Sequence, residues 1–145
     1  MIWFSKANLE EINKRGNDTL TSHLGIIVTE IGDDYIKGTL NVDKRTIQPY
    51  GILHGGASGV FAETLGSIAS NLCIDNNEYV AVGLNLFVSH IKKGVKGEML
   101  EGVCKPNHLG KKTHIWDIEL YNEQKQLISK STLTTTILPR HKLKD

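Results

Sequence analysis

The chain has 145 residues, of which 39% are hydrophobic, so it is long enough for one domain with a substantial core. Its 17 basic and 16 acidic residues give a formal net charge of +1, and this balance gives no reason to expect a nucleic-acid or membrane partner. No segment is typical of a signal peptide or a membrane span, and the two cysteines have no metal-binding spacing, so we expect a cytoplasmic protein with reduced thiols.

Hydrophobic periodicity and turn residues predict an α+β fold. Asn8 and Glu11 resemble a capping box that begins a short helix, and alternating side chains mark several later strands. The predicted elements in chain order are a helix at 9–15, strands at 26–31 and 35–42, a helix at 56–73, and strands at 79–90, 97–107, 112–121 and 126–137. One long central helix wrapped by an antiparallel sheet of five to six strands fits this order best. We expect a single domain over 1–138 and a frayed basic tail over 139–145.

Residues 48–56 lead directly into the long predicted helix and contain Gln48, His54 and the pair Gly55-Gly56. Backbone N–H groups at the start of a helix are unpaired and lie at the positive end of the helix dipole. Such groups can hold a developing negative charge. The bend is therefore a candidate site for the oxyanion of a carbonyl under attack.

One face of the long helix carries a single acid. On a helical wheel, the residues within about 60° of one line are Gly56, Gly59, Glu63, Gly66, Ser67 and Ser70. The opposite face is a predicted core stripe of Ala57, Phe61, Leu65, Ile68 and Leu72. An interior glycine costs about 1 kcal/mol relative to alanine in a helix. The glycines therefore indicate close approach by a ligand or backbone, or else tight packing with Glu63 held in a salt bridge.

These residues resemble a known family. The pattern Gln48…His54-Gly55-Gly56…Glu63…Ser67, together with the order of elements, is similar to the hotdog-fold acyl-CoA thioesterases, in the branch of the glutamate-type 4-hydroxybenzoyl-CoA thioesterase. Further matching segments are Met1-Ile2-Trp3, Asp43-Lys44-Arg45-Thr46, Val82-Gly83-Leu84-Asn85, Lys105-Pro106 and His108-Leu109-Gly110. The resemblance covers nearly the whole chain.

The resemblance implies hydrolysis of an acyl-CoA thioester without a cofactor or a metal. Glu63 would act as nucleophile or general base, and the Gly55 N–H would polarise the thioester carbonyl. Gln48 and His54 would position the carbonyl, the water or the leaving thiolate, and Ser67 would contact substrate or orient Glu63. The acyl group would be aromatic, such as hydroxybenzoyl or the 1,4-dihydroxy-2-naphthoyl group of menaquinone biosynthesis, or else fatty.

The resemblance also assigns contacts with the substrate and with CoA. The residues concerned are Gly83, His90, Lys92, Lys93, His108, Leu109, Gly110 and Lys111. Basic side chains recognise the phosphates of CoA, although lysines at strand ends are equally typical of solvated sheet edges. Family members place the site across a homodimer interface, often in a dimer of dimers. The helix geometry agrees, because Glu63 lies about 10 Å along the helix from Gly56, and we therefore expect the two residues of one chain not to meet at one carbonyl.

Other roles are open for individual residues and for the chain. His54 also suits a helix N-cap, Gln48 suits a loop amide bonded to its own backbone, and Ser67 suits a packed helix face. Among functions, a hotdog dehydratase or hydratase would also act on acyl thioesters. A module that binds acyl-CoA without turnover is the non-enzyme alternative. Detection of free thiol separates hydrolysis from both.

Overall fold

A computed structural model describes residues 1–144. Its elements are α1 (Leu9–Arg15), α2 (Leu20–His23), β1 (Ile27–Ile31), β2 (Ile36–Asn41), α3 (Gly55–Leu72), β3 (Tyr79–His90), β4 (Met99–Leu109), β5 (Thr113–Tyr121), β6 (Leu127–Pro139) and a 3-10 turn (Arg140–Leu143). The predicted α+β architecture, with one long helix and an antiparallel sheet, is confirmed. No helix within the described part of the chain is long and apolar enough to cross a membrane.

The six strands form one antiparallel sheet in the order β1-β2-β4-β5-β6-β3. Strand β3 therefore lies at an edge of the sheet, with only β6 beside it. It is long, at 12 residues, and its exposed side chains include Leu84 (65% exposed) and Phe87 (67% exposed). A bulge interrupts its pairing with β6 between Gly83 and Asn85. A long edge strand with exposed apolar side chains is typical of a surface that pairs with another chain.

The core lies between α3 and the concave face of the sheet. Phe61 and Leu65 of α3 are fully buried against Trp116 and Leu133 of the sheet. Burial of each large apolar side chain of this kind contributes roughly 1.5–3 kcal/mol before conformational entropy is subtracted. Packing against the sheet thus holds α3 in place, and the residues on its other faces are free to serve a site.

Two expectations differ from the structure. Gly66 and Ser70, placed on the same helix face as Glu63, are buried against β6 and its neighbours, whereas Ile68 and Leu72 are only half-buried. The helical wheel assumes that only one side of α3 is packed, but the sheet wraps around the helix and buries residues on more than one side. The tail is also ordered over Arg140–Leu143, while Asp145 lies outside the described residues.

Candidate active site

A ridge of residues on α3 lies directly over the edge strand β3. Gly55, Gly59 and Glu63 are spaced four apart and so share one side of the helix. A Cβ atom added at Gly55 would lie 2.7 Å from the imidazole of His90, and one added at Gly83 would overlap the Glu63 carboxylate. Because neither glycine has a side chain, His90 can pack against the backbone of Gly55 and Glu63 against the backbone of Gly83, one at each end of the ridge.

The helix start carries an unpaired donor. His54 is the N-cap of α3, and its Nδ1 accepts a hydrogen bond of 2.8 Å from the Gly56 N–H. Within residues 1–144, the Gly55 N–H donates to no acceptor. This donor lies at the positive end of an 18-residue helix, where an anion is stabilised. The capping role of His54 leaves its Nε2 as the nitrogen that carries the proton in the neutral ring.

A groove of about 310 Å³ opens beside this helix start. We call it the basic groove; its lining includes Gln48, Gly55, His90, Lys92 and Lys93. The Gln48 side-chain oxygen accepts from the Tyr50 N–H, so its amide nitrogen remains as a donor. Five of the residues predicted from the sequence thus meet at one groove, with Gly55 at the helix start.

A second groove, of about 590 Å³, runs along α3 from Glu63 towards the C-terminal end of the helix. We call it the α1–α3 groove, because α1 forms its opposite wall. Its lining includes Glu63 and Ser67, and its apolar walls include Ile12, Val60 and Ile68. The Glu63 side chain is exposed in the single subunit. An apolar groove that begins at a carboxylate can hold an acyl group beside a nucleophile or base.

The two halves of the site are separated within one chain. Helix α3 is continuous from Gly55 to Glu63, so these residues lie about 12 Å apart along its axis. A further group, His108 to Lys111, lies at the exposed β4–β5 turn and lines neither groove. The structure therefore brings together His90, Lys92 and Lys93 with Gly55 but leaves the turn residues apart.

Sequence reasoning missed several residues that line the grooves, among them Ser58, Arg15 and Arg140. Ser58 lines the basic groove, is 1% exposed, and has a hydroxyl with no hydrogen-bond partner among the described residues. Arg15 and Arg140 line the α1–α3 groove. Ser58 follows His54 by one helical turn, which is a usable signal. Arg140 lies 77 positions after Glu63, and no local pattern links two such distant residues.

The fold and this site define a class of enzyme. A model of the thioesterase superfamily matches residues 50–129, which is more than half of the chain. The chain therefore belongs to the thioesterase superfamily, has the hotdog fold, and is a thioester hydrolase. This confirms hydrolysis over the hydratase and non-enzyme alternatives.

Individual relatives agree with this class. The chain is 44% identical over 138 residues to the 1,4-dihydroxy-2-naphthoyl-CoA hydrolase of Escherichia coli, a match that covers 95% of this chain and 100% of the relative. It is also 44% identical to the proofreading thioesterase EntH of Cronobacter sakazakii, with 95% and 99% covered. The crystal structure of a Haemophilus influenzae thioesterase superposes with a TM-score of 0.91 at 35% identity, with 96% of both chains covered.

Proposed function

We propose that the chain hydrolyses acyl-CoA thioesters, with the carbonyl oxygen bound by the Gly55 N–H and the attack supplied by Glu63. The observation that carries this proposal is the unpaired N–H of Gly55 at the start of α3, on the same helix ridge as the carboxylate. Attack on the carbonyl carbon, by the Glu63 oxygen or by a water that it deprotonates, places negative charge on the carbonyl oxygen. The Gly55 N–H and the helix dipole stabilise that charge, and the C–S bond then breaks to release the CoA thiolate. When the Glu63 oxygen is the attacking atom, water then hydrolyses the resulting acyl–Glu63 anhydride to the free acid and restores the carboxylate.

Neighbouring side chains supply further hydrogen bonds during the reaction. The Nε2–H of His54 and the amide nitrogen of Gln48 are donors for the carbonyl, the water or the leaving thiolate. Ser67 lies one turn after Glu63 in the same groove, where its hydroxyl can bond the substrate or the carboxylate. The net reaction consumes one water and yields a carboxylic acid and CoA, so it needs no cofactor beyond the CoA of the substrate.

The site is completed by a second copy of the chain. Edge strand β3 lies directly under Gly55 and Glu63, and its outer edge has no strand partner among residues 1–144. Antiparallel pairing of two β3 strands about a two-fold axis sets two α3 helices side by side in opposite directions. Gly55 of one chain then lies near Glu63 of the other. We also predict that two such dimers pair to form a tetramer and that the protein is cytoplasmic.

The proposed substrates are aromatic acyl-CoA thioesters. The apolar walls of the α1–α3 groove suit a flat or extended acyl group, and a relative at 44% identity is named for a 1,4-dihydroxy-2-naphthoyl-CoA substrate. Lys92 and Lys93, together with His108 and Lys111 at the β4–β5 turn, are the proposed contacts for the phosphates of CoA. The backbone of Gly83 packs against the Glu63 carboxylate.

Replacement of Glu63 tests the chemistry. Glu63→Gln keeps the shape of the side chain but removes its charge, so thiol release should fall roughly 10²–10⁴-fold while binding of a non-hydrolysable acyl-CoA analogue is retained. The measurements are thiol release with a disulfide reagent and analogue binding by calorimetry. Unchanged turnover in Glu63→Gln would refute the role of this carboxylate.

Mixed dimers test whether the site lies between chains. Gly55→Pro removes the N–H while suiting the first position of a helix, and the extended backbone of His54 accepts a following proline. In a mixed dimer of Gly55→Pro and Glu63→Gln chains, one site contains an intact Gly55 and an intact Glu63. After subunit exchange, activity should return to about a quarter of the wild-type value. Two inactive parents that stay inactive after proven exchange would place the site within one chain.

A further inference from the structure

Ser58 is a buried serine of α3 with an unused hydroxyl. It lines the basic groove together with Leu53 and Gly55, and its side chain is 1% exposed. The hydroxyl has no hydrogen-bond partner among residues 1–144. A buried hydroxyl without a partner destabilises the folded protein, because it has lost its hydrogen bonds with water. Stability of the fold therefore does not explain why the chain has a serine here.

The usual structural partner of a helical serine is not used. A serine or threonine inside a helix commonly bonds the carbonyl four positions earlier. Thr64 does so, because its hydroxyl donates 2.7 Å to the Val60 carbonyl. The corresponding carbonyl for Ser58 is that of His54, which already accepts from the N–H groups of Ala57 at 2.9 Å and Ser58 at 3.4 Å. The Ser58 hydroxyl does not join them, so rotation about the Cα–Cβ bond can turn it to a ligand in the groove.

Serine also replaces apolar packing at the start of α3. His54 is the N-cap, so Leu53 and Ser58 occupy the two positions at which apolar side chains often pack together and fix the entry into a helix. Leu53 is buried and lines the same groove, but serine offers it a single methylene. An apolar residue at position 58 would pack against Leu53 without an unpaired polar atom. The groove thus retains a hydroxyl at the expense of stability.

The rest of the basic groove suits the arm of CoA that joins the thioester to the phosphates. This arm consists of methylene groups interrupted by two amides, so it needs apolar walls and a few polar groups. Under the proposed function, Gly55 binds the thioester carbonyl and Lys92 and Lys93 bind phosphates, so the arm lies between them. The apolar side chains that line the groove are Ile52, Leu53, Ile91 and Ile128.

We propose that the Ser58 hydroxyl binds the amide of this arm that is nearest the thioester, and that Ser58 is therefore a further substrate-binding residue. The inference rests on the proposed function, because Gly55 must hold the thioester carbonyl. Ser58 lies about 4.5 Å further along the helix than Gly55, and only an ethylene spacer separates the amide from the thioester sulfur, so one ligand can reach both residues.

The chemistry of the hydroxyl suits an amide. It can donate to the amide carbonyl or accept from the amide N–H. An exposed hydroxyl exchanges a bond with water for a bond with the ligand, and little free energy is gained. The Ser58 hydroxyl has no bond to exchange, so its bond with the ligand contributes more to binding.

Ser58→Ala tests this contact on three thioesters of one aromatic acid. The first is the CoA thioester, the second is the N-acetylcysteamine thioester, which keeps the nearest amide, and the third is the S-pentyl thioester, in which methylenes replace that amide. For the first two, kcat/KM for thiol release should fall roughly 10–100-fold, because the amide loses its partner. For the third it should be unchanged. Calorimetry of the same ligands in the Glu63→Gln background gives this comparison without turnover.

Ser131→Ala is the matched control. Ser131 is also 1% exposed and its hydroxyl also lacks a partner among the described residues, but it does not line the groove. This variant should keep the wild-type kcat/KM on all three thioesters. Ser58→Ala should unfold at no lower a urea concentration than the wild-type protein, because alanine favours the helix and removes an unpaired polar atom.

Three results would overturn the inference while leaving thioester hydrolysis intact. The first is an unchanged kcat/KM of Ser58→Ala on the two thioesters that carry the amide, or an equal loss in Ser131→Ala. The second is an equal loss on all three thioesters, because the hydroxyl would then act on the carbonyl rather than on the amide. The third is a lower urea midpoint of Ser58→Ala, which would assign the hydroxyl to the fold. Absence of thiol release from the CoA thioester by the wild-type protein would instead count against the proposed function.

Discussion

Single residues at this site serve both folding and chemistry. His54 caps α3 through Nδ1, which fixes the helix start and directs the remaining ring nitrogen away from the cap. Gln48 bonds the Tyr50 N–H through its side-chain oxygen, which fixes the loop. Both of the structural roles suggested by the sequence are therefore present. They do not compete with the proposed catalytic roles, because each side chain has a second polar atom.

Replacing Gly55 with proline removes its backbone N–H with little other change to the helix. We expect Gly55→Pro to lower kcat by roughly 10²–10³-fold, the usual cost of losing one oxyanion donor. Proline suits the first helical position, so α3 should remain folded. The measurement is steady-state thiol release, with circular dichroism to confirm the helix.

The control for this variant is Gly55→Ala. Alanine brings a similar steric demand against His90, at 2.7 Å from its ring, but keeps the N–H. We expect Gly55→Ala to retain far more activity than Gly55→Pro. Equal losses in the two variants would mean that crowding of His90, rather than the missing donor, causes the effect.

At the scale of elements, the sequence predicted α3 and the strands closely because their signals are local. Turn residues, alternation and the cap at His54 lie within a few positions of the boundaries they mark. The faces of α3 were harder to predict. Gly59 and Gly66 look alike in the sequence, but Gly59 faces β3 at ordinary contact distance, whereas Gly66 is pressed against Leu133. That distinction depends on the curvature of the sheet, which no local pattern records.

The two glycines should respond in opposite ways to alanine. A Cβ at Gly59 would lie 3.5 Å from Leu86, so Gly59→Ala should raise the free energy of unfolding by about 0.5–1 kcal/mol through helix propensity. A Cβ at Gly66 would lie 2.5 Å from the fully buried Leu133. Overpacking there costs roughly 1–3 kcal/mol and outweighs the same gain.

Urea unfolding of both variants measures these changes. Wild-type thiol release from Gly59→Ala would show that this glycine is not needed for substrate. If Gly59→Ala instead lowered the free energy of unfolding, Gly59 would be needed for a close contact that the structure of one chain does not contain. If Gly66→Ala proved more stable than the wild-type protein, the tight packing inferred at Leu133 would be wrong.

At the scale of the whole molecule, long-range contacts decide what the sequence could not show. The wall of the α1–α3 groove combines residues from α1, α3 and the C-terminal turn. The tail looked frayed because it is short and basic, yet the Arg140 N–H donates 2.8 Å to the Glu78 carbonyl and its side chain bonds Asn76. A buried polar cluster is similar: Ser70, His114, Trp116 and Thr135 come from three elements and meet in the core.

We expect this cluster to make the stability of the whole fold depend on pH. His114 is 4% exposed, and its Nδ1 lies 3.3 Å from the Ser70 hydroxyl, which also accepts from Trp116 and bonds Thr135. Burial lowers the pKa of His114, repulsion from His108 lowers it further, and a hydrogen bond with the Gly110 backbone opposes both. The folded protein therefore favours the neutral ring.

The sign of the effect follows from linkage. In the unfolded chain His114 titrates near pH 6.5, and in the folded protein it titrates lower, so the unfolded state binds the proton first as the pH falls. The stability due to the neutral ring is fully present above about pH 6.5 and is lost below it, with a slope of at most about 1.4 kcal/mol per pH unit. Urea unfolding between about pH 7.5 and pH 5 measures this slope. His114→Gln should flatten it, and the exposed His141→Gln should leave it unchanged. An identical slope in wild-type and His114→Gln proteins would show that other groups cause the acid sensitivity.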